Sequence, residues 1–168
     1  MKQAPTLRPT ELLFRLALGG LFIYAGVAKI FALPAIRDAM IAGQALLPLE
    51  RFLALEDFFW DVHHFGLTPW DISMVLAMFL PWLEVVSGLA LISSRLRAGA
   101  LLIITALSAV FLGAIASAWW RGLDLTCGCF GKEVNATNYP QHLLLNGAML
   151  AACLVLWWMT DGSGRKPA

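Results

Sequence analysis

The sequence predicts an all-α integral membrane protein: a four-helix bundle of spanning segments, with short interfacial helices between spans one and two. Three observations predict it. Hydrophobic residues make up 60% of the chain and charged residues only 14%, with a mean hydropathy of +0.74, whereas soluble domains carry about 25% charged residues. In 168 residues that much apolar surface cannot be hidden from water, which leaves lipid as the solvent. Four apolar runs each reach the roughly 20 residues that a helix needs to cross a bilayer's hydrocarbon core. Small residues recur in three of these runs, where they let helix backbones approach closely.

The first span is 12–33, "LLFRLALGGLFIYAGVAKIFAL". Thr10 is expected to cap it, its hydroxyl accepting from an otherwise unpaired first-turn N–H, with Pro9 outside the helix. A cleaved signal is not expected, because a signal peptide has a shorter apolar core and a small-residue cleavage site, and here Lys29 and "FALP" follow. The next segment, 34–69, is too long for a simple turn. Its first part, "PAIRDAMIAGQALLP", has the spacing of a helix lying along the membrane surface. Its second, "LERFLALEDFFWDVHHFGLTPW", reads as another short amphipathic helix ending near Gly66 and Pro69.

The second span is 70–92, with Pro81 in its middle; the third is 98–120 and the fourth 141–160. Gly19, Gly20, Ala25 and Gly26 in span one, Ser87, Gly88 and Ala90 in span two, and Gly113, Ala114, Ser117 and Ala118 in span three are the expected contact residues. A short polar tail follows the fourth span. With no internal repeat or low-complexity tract, residues 1–168 read as a single membrane domain.

Basic residues near span ends tend to stay in the cytoplasm. Lys2, Arg8, Arg95, Arg97, Arg165 and Lys166 lie on the side of the N-terminus. Arg37, Arg51, Arg121 and Lys132 lie opposite, diluted by Asp38, Glu50, Glu56, Asp57, Asp61, Asp124 and Glu133. Both termini are therefore expected inside. Trp70, Trp119, Trp120 and Tyr139 fall at the outer interface and Trp157 and Trp158 at the inner one, as amphipathic rings prefer. The loop after the third span then faces an oxidising compartment, where disulfides persist. A net charge of +1 gives no field to gather nucleic acid or anionic substrates, so nucleic acid is not an expected partner.

Arg15, Lys29 and Glu84 fall in or near hydrocarbon, where an ionised side chain costs about 2.5–3.5 kcal/mol even on lenient scales. They must be paired or hydrated. Counting from the inner face brings Arg15 within reach of Glu84 if the arginine extends, and leaves Lys29 near the outer end, snorkelling to the headgroups. Glu84, one turn after Pro81, either shapes a polar cavity or cofactor site, or fixes helix register through an ion pair. His63 and His64 are not expected to bind metal. Adjacent histidines on a helix diverge by about 100°, metal sites need three or four ligands, and a solvated interfacial loop accounts for the pair. His142, near the start of span four, is a candidate proton acceptor for the nearby loop.

That loop contains "DLTCGCFGKE", residues 124–133. One residue between Cys127 and Cys129 is too short for a zinc hook, and no second pair exists. Gly128 gives the backbone the freedom to let the two sulfurs meet in a small ring. So tight a ring is readily reduced, and it removes little chain entropy as a staple, which favours redox exchange over a structural role. Arg121 and Lys132 flank the pair and favour its thiolates. Cys153 lies about 12 residues into span four, roughly 18 Å below its outer end, beyond disulfide reach of the loop. It reads as a buried apolar residue.

"RLALGGLFIYAGVAKI", "LPWLEVVSGLAL" and "RGLDLTCGCFG", in that order over residues 10–160, resemble the DoxX-like superfamily and, within it, the methylamine utilisation protein MauE group. The resemblance implies a bacterial inner-membrane protein that helps mature disulfide-rich periplasmic proteins. By position it singles out Arg15, Gly20, Gly26, Lys29, Pro81, Glu84, Gly88, Arg121, Gly122, Cys127, Gly128, Cys129, Phe130 and Gly131. Residues 50–69, acidic and aromatic, depart from the family's pattern.

The expectation is a membrane thiol-disulfide oxidoreductase that passes electrons between a periplasmic thiol or disulfide protein and the membrane. Cys127 and Cys129 carry the exchange through a mixed disulfide. Arg15, Lys29, Glu84, Arg121 and Phe130 are the expected cofactor-binding residues, with Trp119, Trp120 and Phe130 bordering a ring-shaped cofactor. A quinone is expected by analogy with other membrane thiol oxidoreductases. Two other classes compete: a nonenzymatic assembly factor that docks through the CGC loop, and a small transporter built on the intramembrane charges.

Overall fold

The computed structural model describes residues 9–31, 55–93, 96–123 and 139–162. They form five helices: α1 (Pro9–Ile30), α2 (Leu55–His64), α3 (Trp70–Ile92), α4 (Arg97–Trp120) and α5 (Tyr139–Gly162). The four long ones are the expected spans, each with a stretch of mean hydropathy between 1.6 and 2.4. The chain is an all-α membrane helical bundle, as its composition predicts.

The helix ends follow local chemistry. Pro9 is the first residue of α1, so Thr10 lies inside the helix and is not its cap. Proline is favoured there because its φ is already helical and its missing N–H would have had no partner. At the other end of the bundle, α4 closes in a Schellman motif. Leu123 N–H donates to Ala118 O at 3.1 Å and Gly122 N–H to Trp119 O at 3.0 Å. Gly122 takes the left-handed conformation this requires, φ 66°. Gly66, at φ 61°, stops α2 in the same region of backbone space, its N–H donating to His63 O at 3.0 Å. The surface helix expected in "PAIRDAMIAGQALLP" lies outside the described residues.

The long helices close a ring in which α1 lies along α3, α3 beside α4, α4 along α5, and α5 against α1, with α2 resting on α3 and touching α1. The near end of the bundle is where α1 and α4 begin and α3 and α5 finish. The far end carries α2 and the chain between α4 and α5.

The α1–α3 seam is made by absent side chains. A Cβ on Gly88 would stand 2.7 Å from Gly19 O, one on Gly19 2.9 Å from Gly88 O, and one on Gly26 2.5 Å from Pro81 O. Each distance is shorter than any real Cβ contact, so backbone meets backbone at all three positions. Among the described residues nothing lies within 4 Å of such a Cβ on Gly20 or Gly113, and they take no part in the contacts between the described helices. Below the seam, Phe22, Leu91, Leu101, Ile104, Cys153 and Leu156 fill an apolar core. Phe79, Val86, Val110, Leu144 and Trp158 point outward and are more than half exposed. Such an apolar outer belt suits lipid, whereas Arg15, Lys29 and Glu84 are at most 3% exposed.

Candidate functional site

Gly26 faces Pro81 and Gly19 faces Gly88, which fixes the register of α1 against α3. Lys29 is then level with Met78, and Glu84 lies about 9 Å further toward the near end. Helical side chains lean toward their own N-terminus. In this antiparallel pair Lys29 leans inward and Glu84 leans outward, and the two close the gap. Lys29 Nζ donates to Glu84 Oε1 at 2.5 Å and Oε2 at 2.7 Å. Ser87 Oγ donates to the Glu84 backbone carbonyl at 3.1 Å.

Two expectations are corrected here. Glu84 pairs with Lys29 and not with Arg15, and Lys29 is 3% exposed, so it does not snorkel. The direction of lean explains both. Arg15 is level with Ile92, about 12 Å from Glu84, and its side chain leans away from the carboxylate. It reaches the end of α3 instead, where Nε donates to Leu91 O at 3.0 Å and Nη2 to Ile92 O at 2.8 Å. A cation on the last carbonyls of a helix complements both their lone pairs and the macrodipole.

The ammonium of Lys29 also lies 5.1 Å from the centroid of the Phe111 ring and 5.3 Å from that of Phe58, within cation–π range. Four helices therefore meet at one charge: α1 supplies it, α3 neutralises it, and α2 and α4 cover it with aromatic faces. On the α5 side a small cleft of about 10 Å³ separates the pair from Asn146, room for about one water. Asn146 is held by its Nδ2 donating to His142 O at 2.9 Å.

Beyond Phe58 and Phe111 lies a second space of ≈ 210 Å³, walled by α2, α3 and α4. Phe58, Phe65, Leu76, Leu80, Phe111 and Ile115 give it an apolar lining, with Asp61 and Thr68 as its polar members. Trp119 and Trp120, expected to border a ring-shaped ligand, line neither space; Trp120 is 92% exposed. His63 and His64 belong to the last turn of α2 and not to a solvated loop. His63 stacks on Phe59 and meets the Trp70 ring edge-on at a centroid distance of 5.0 Å.

Arg121 sits just past α4. Its Nε donates to Ser117 O at 3.2 Å, and its Nη2 donates to Phe65 O, the carbonyl that follows α2. The hydroxyl of Tyr139 donates to Leu123 O, which pins together the two ends of the segment 124–138. Cys127, Cys129, Phe130 and Lys132 belong to that segment and lie outside the described residues. Of the site residues named from sequence, Lys29 and Glu84 come together, Arg121 stands at the far end beside α2, and Arg15 stands apart at the near end. Phe58, Phe111 and Asn146 were not anticipated. Asn146 carries a signal, an amide inside an apolar span, which must find a partner or water.

Neither a curated protein nor a solved structure matches the chain. Residues 8–159, which take in all five helices but the last residues of α5, match the family described as Methylamine utilisation protein MauE, and the chain belongs to that family.

Proposed function

We propose that this MauE-family membrane protein is a thiol-disulfide oxidoreductase, exchanging electrons between a periplasmic partner and an acceptor or donor in the membrane. Cys127 and Cys129 are the reacting pair. A thiolate of one attacks a disulfide of the partner, forming a mixed disulfide and releasing a partner thiolate. The second cysteine then attacks the mixed disulfide, leaving the pair oxidised and the partner reduced by two electrons. Run in reverse, the same steps oxidise the partner.

The observation that carries this reading is the connection at the far end. Arg121, six residues before Cys127, donates to the carbonyl of Phe65, and the Phe65 side chain lines the ≈ 210 Å³ apolar space. The base of the CGC segment is thus bonded to the wall of a cavity with an apolar lining. Its lining fits a quinone ring, and a bound quinone would supply a two-electron, two-proton couple. Phe58 and Phe111 border the space and would contact the ring, and the paired Lys29 keeps a fixed positive charge behind the two phenyl rings. In this reading the sidedness is that of the basic-residue bias, with both termini cytoplasmic and the CGC segment periplasmic in a bacterial inner membrane. Maturation of periplasmic proteins is the process it serves.

Trapping tests it. In membranes carrying Cys127→Ser or Cys129→Ser, one of the two variants accumulates a reductant-sensitive adduct with a periplasmic protein, identified by mass spectrometry. If neither variant forms an adduct while both still co-purify with a partner, the segment is a docking element and the redox reading fails.

A further inference from the structure

A second site stands at the near end, remote from the CGC segment and independent of the redox reading. Between the start of α4 and the ends of α3 and α5 is a space of ≈ 160 Å³, lined by Arg15, Leu91, Arg97, Ala98, Trp157 and Thr160 among others. Three features of its wall attract a negative charge. The first is Arg15, 1% exposed. Two of its nitrogens are spent on the Leu91 and Ile92 carbonyls, while Nη1 is buried with no hydrogen-bond partner among the described residues. Leaving such a donor unsatisfied is costly, and the carbonyls that hold the other nitrogens do not neutralise the charge. The second is Arg97, whose Nη1 bonds Glu11 Oε1 at 3.2 Å and whose side chain stays 36% exposed. The third is the first turn of α4, which has no side-chain cap among the described residues and carries the positive end of a helix dipole. Arg15, Arg97 and Glu11 together leave one positive charge.

Depth identifies the source of the anion. Arg15 is six residues into α1, about 9 Å from the helix start, and Arg97 begins α4. Trp157, in the same wall, is the residue type that anchors at the headgroup level. Positive groups within the first two turns of their helices, beside an apolar wall of Leu91, Leu101 and Leu156, suit a lipid phosphate with its acyl chain. Basic pockets between spanning helices at this level are a recognised way of holding acidic lipid headgroups. We propose that this cleft binds the phosphodiester of an anionic phospholipid, with Arg15 Nη1 and Arg97 on its oxygens.

The test uses the whole purified protein in a neutral detergent, titrated separately with phosphatidylglycerol, phosphatidylcholine and inorganic phosphate at constant ionic strength. Native mass spectrometry counts bound lipid and thermal unfolding follows saturation. One phosphatidylglycerol is expected per chain, with a saturable rise in Tm that neither phosphatidylcholine nor inorganic phosphate reproduces. Arg15→Gln removes the buried donor and should weaken binding about tenfold or more, but it also strips the end of α3. Ala98→Leu is the second variant: Ala98 is exposed and lines the cleft, so leucine fills the space without touching a hydrogen bond, and affinity should again fall about tenfold. Equal binding of phosphatidylcholine, a full shift from inorganic phosphate alone, or wild-type affinity in Ala98→Leu would each overturn the proposal.

Discussion

Breaking the Lys29–Glu84 pair gives the sharpest test of the buried polar core. At 2.5 and 2.7 Å and an effective dielectric of about 20, the attraction is about 6 kcal/mol. Desolvation of two groups that are at most 3% exposed offsets much of it, so the pair's net worth is small while the cost of orphaning one member is large. Glu84→Ala should therefore destabilise the protein by about 3–5 kcal/mol, and Lys29→Ala by a similar amount. The double variant Lys29→Met with Glu84→Leu strands no charge and should recover most of that loss. Glu56→Ala, on the exposed face of α2, should stay within about 0.5 kcal/mol. Reversible unfolding of the four variants in mixed micelles of detergent and sodium dodecyl sulfate, followed by circular dichroism, measures them side by side. Equal midpoints for Glu84→Ala and Glu56→Ala, or a double variant no better than the singles, would refute the reasoning.

Gly88→Ala should cost about 1–3 kcal/mol, because its Cβ meets the Gly19 carbonyl at 2.7 Å, whereas Gly20→Ala, with open space around it, should gain up to about 1 kcal/mol from helix propensity; the same unfolding assay separates them. Cys153→Ala should keep thiol exchange while Cys127→Ser and Cys129→Ser each abolish it, since Cys153 is 0% exposed and 14 residues, about 21 Å, along α5 from Tyr139. A partner-trapped pair in the Cys153 variant alone would contradict this. After reduction, Cys127 and Cys129 should react in intact cells with a membrane-impermeant maleimide; labelling confined to broken cells would reverse the proposed orientation. Arg121→Ala should raise hydrogen exchange in residues 55–66, because it removes the bond to Phe65 O; unchanged exchange would show that α2 holds without it.

The spans were legible because length and hydropathy decide them, and α2 because its apolar residues recur at helical spacing. The polar core was only half legible. That Arg15, Lys29 and Glu84 need partners follows from the cost of charge in hydrocarbon, but which ones meet depends on interhelical register and on the direction side chains lean. Counting from a membrane face supplies the first only roughly and omits the second. The glycines show the same limit: Gly20 and Gly26 look alike in the sequence, and only the rotation of α1 about its axis sends one to Pro81 and the other to lipid. Phe58 and Phe111 were hidden among ten phenylalanines, because covering a cation is a property of where rings land and not of their spacing. Pro9 was misread by one position, since a proline just before a helix and one that begins it look the same from the sequence.

The contacts of the α1–α3 seam recur at an interval of seven on both helices, Gly19 to Gly26 and Pro81 to Gly88, and this makes the seam a ruler. Adding one residue between Gly19 and Gly26 would turn everything beyond it by about 100° and advance it about 1.5 Å. Lys29 would then swing out of the bundle while Glu84 stayed inside. Evolution can freely respell the lipid-facing letters of α1, but it cannot change their number, because the helix's length in this stretch is what delivers a charge at one end to its partner in the middle of the next.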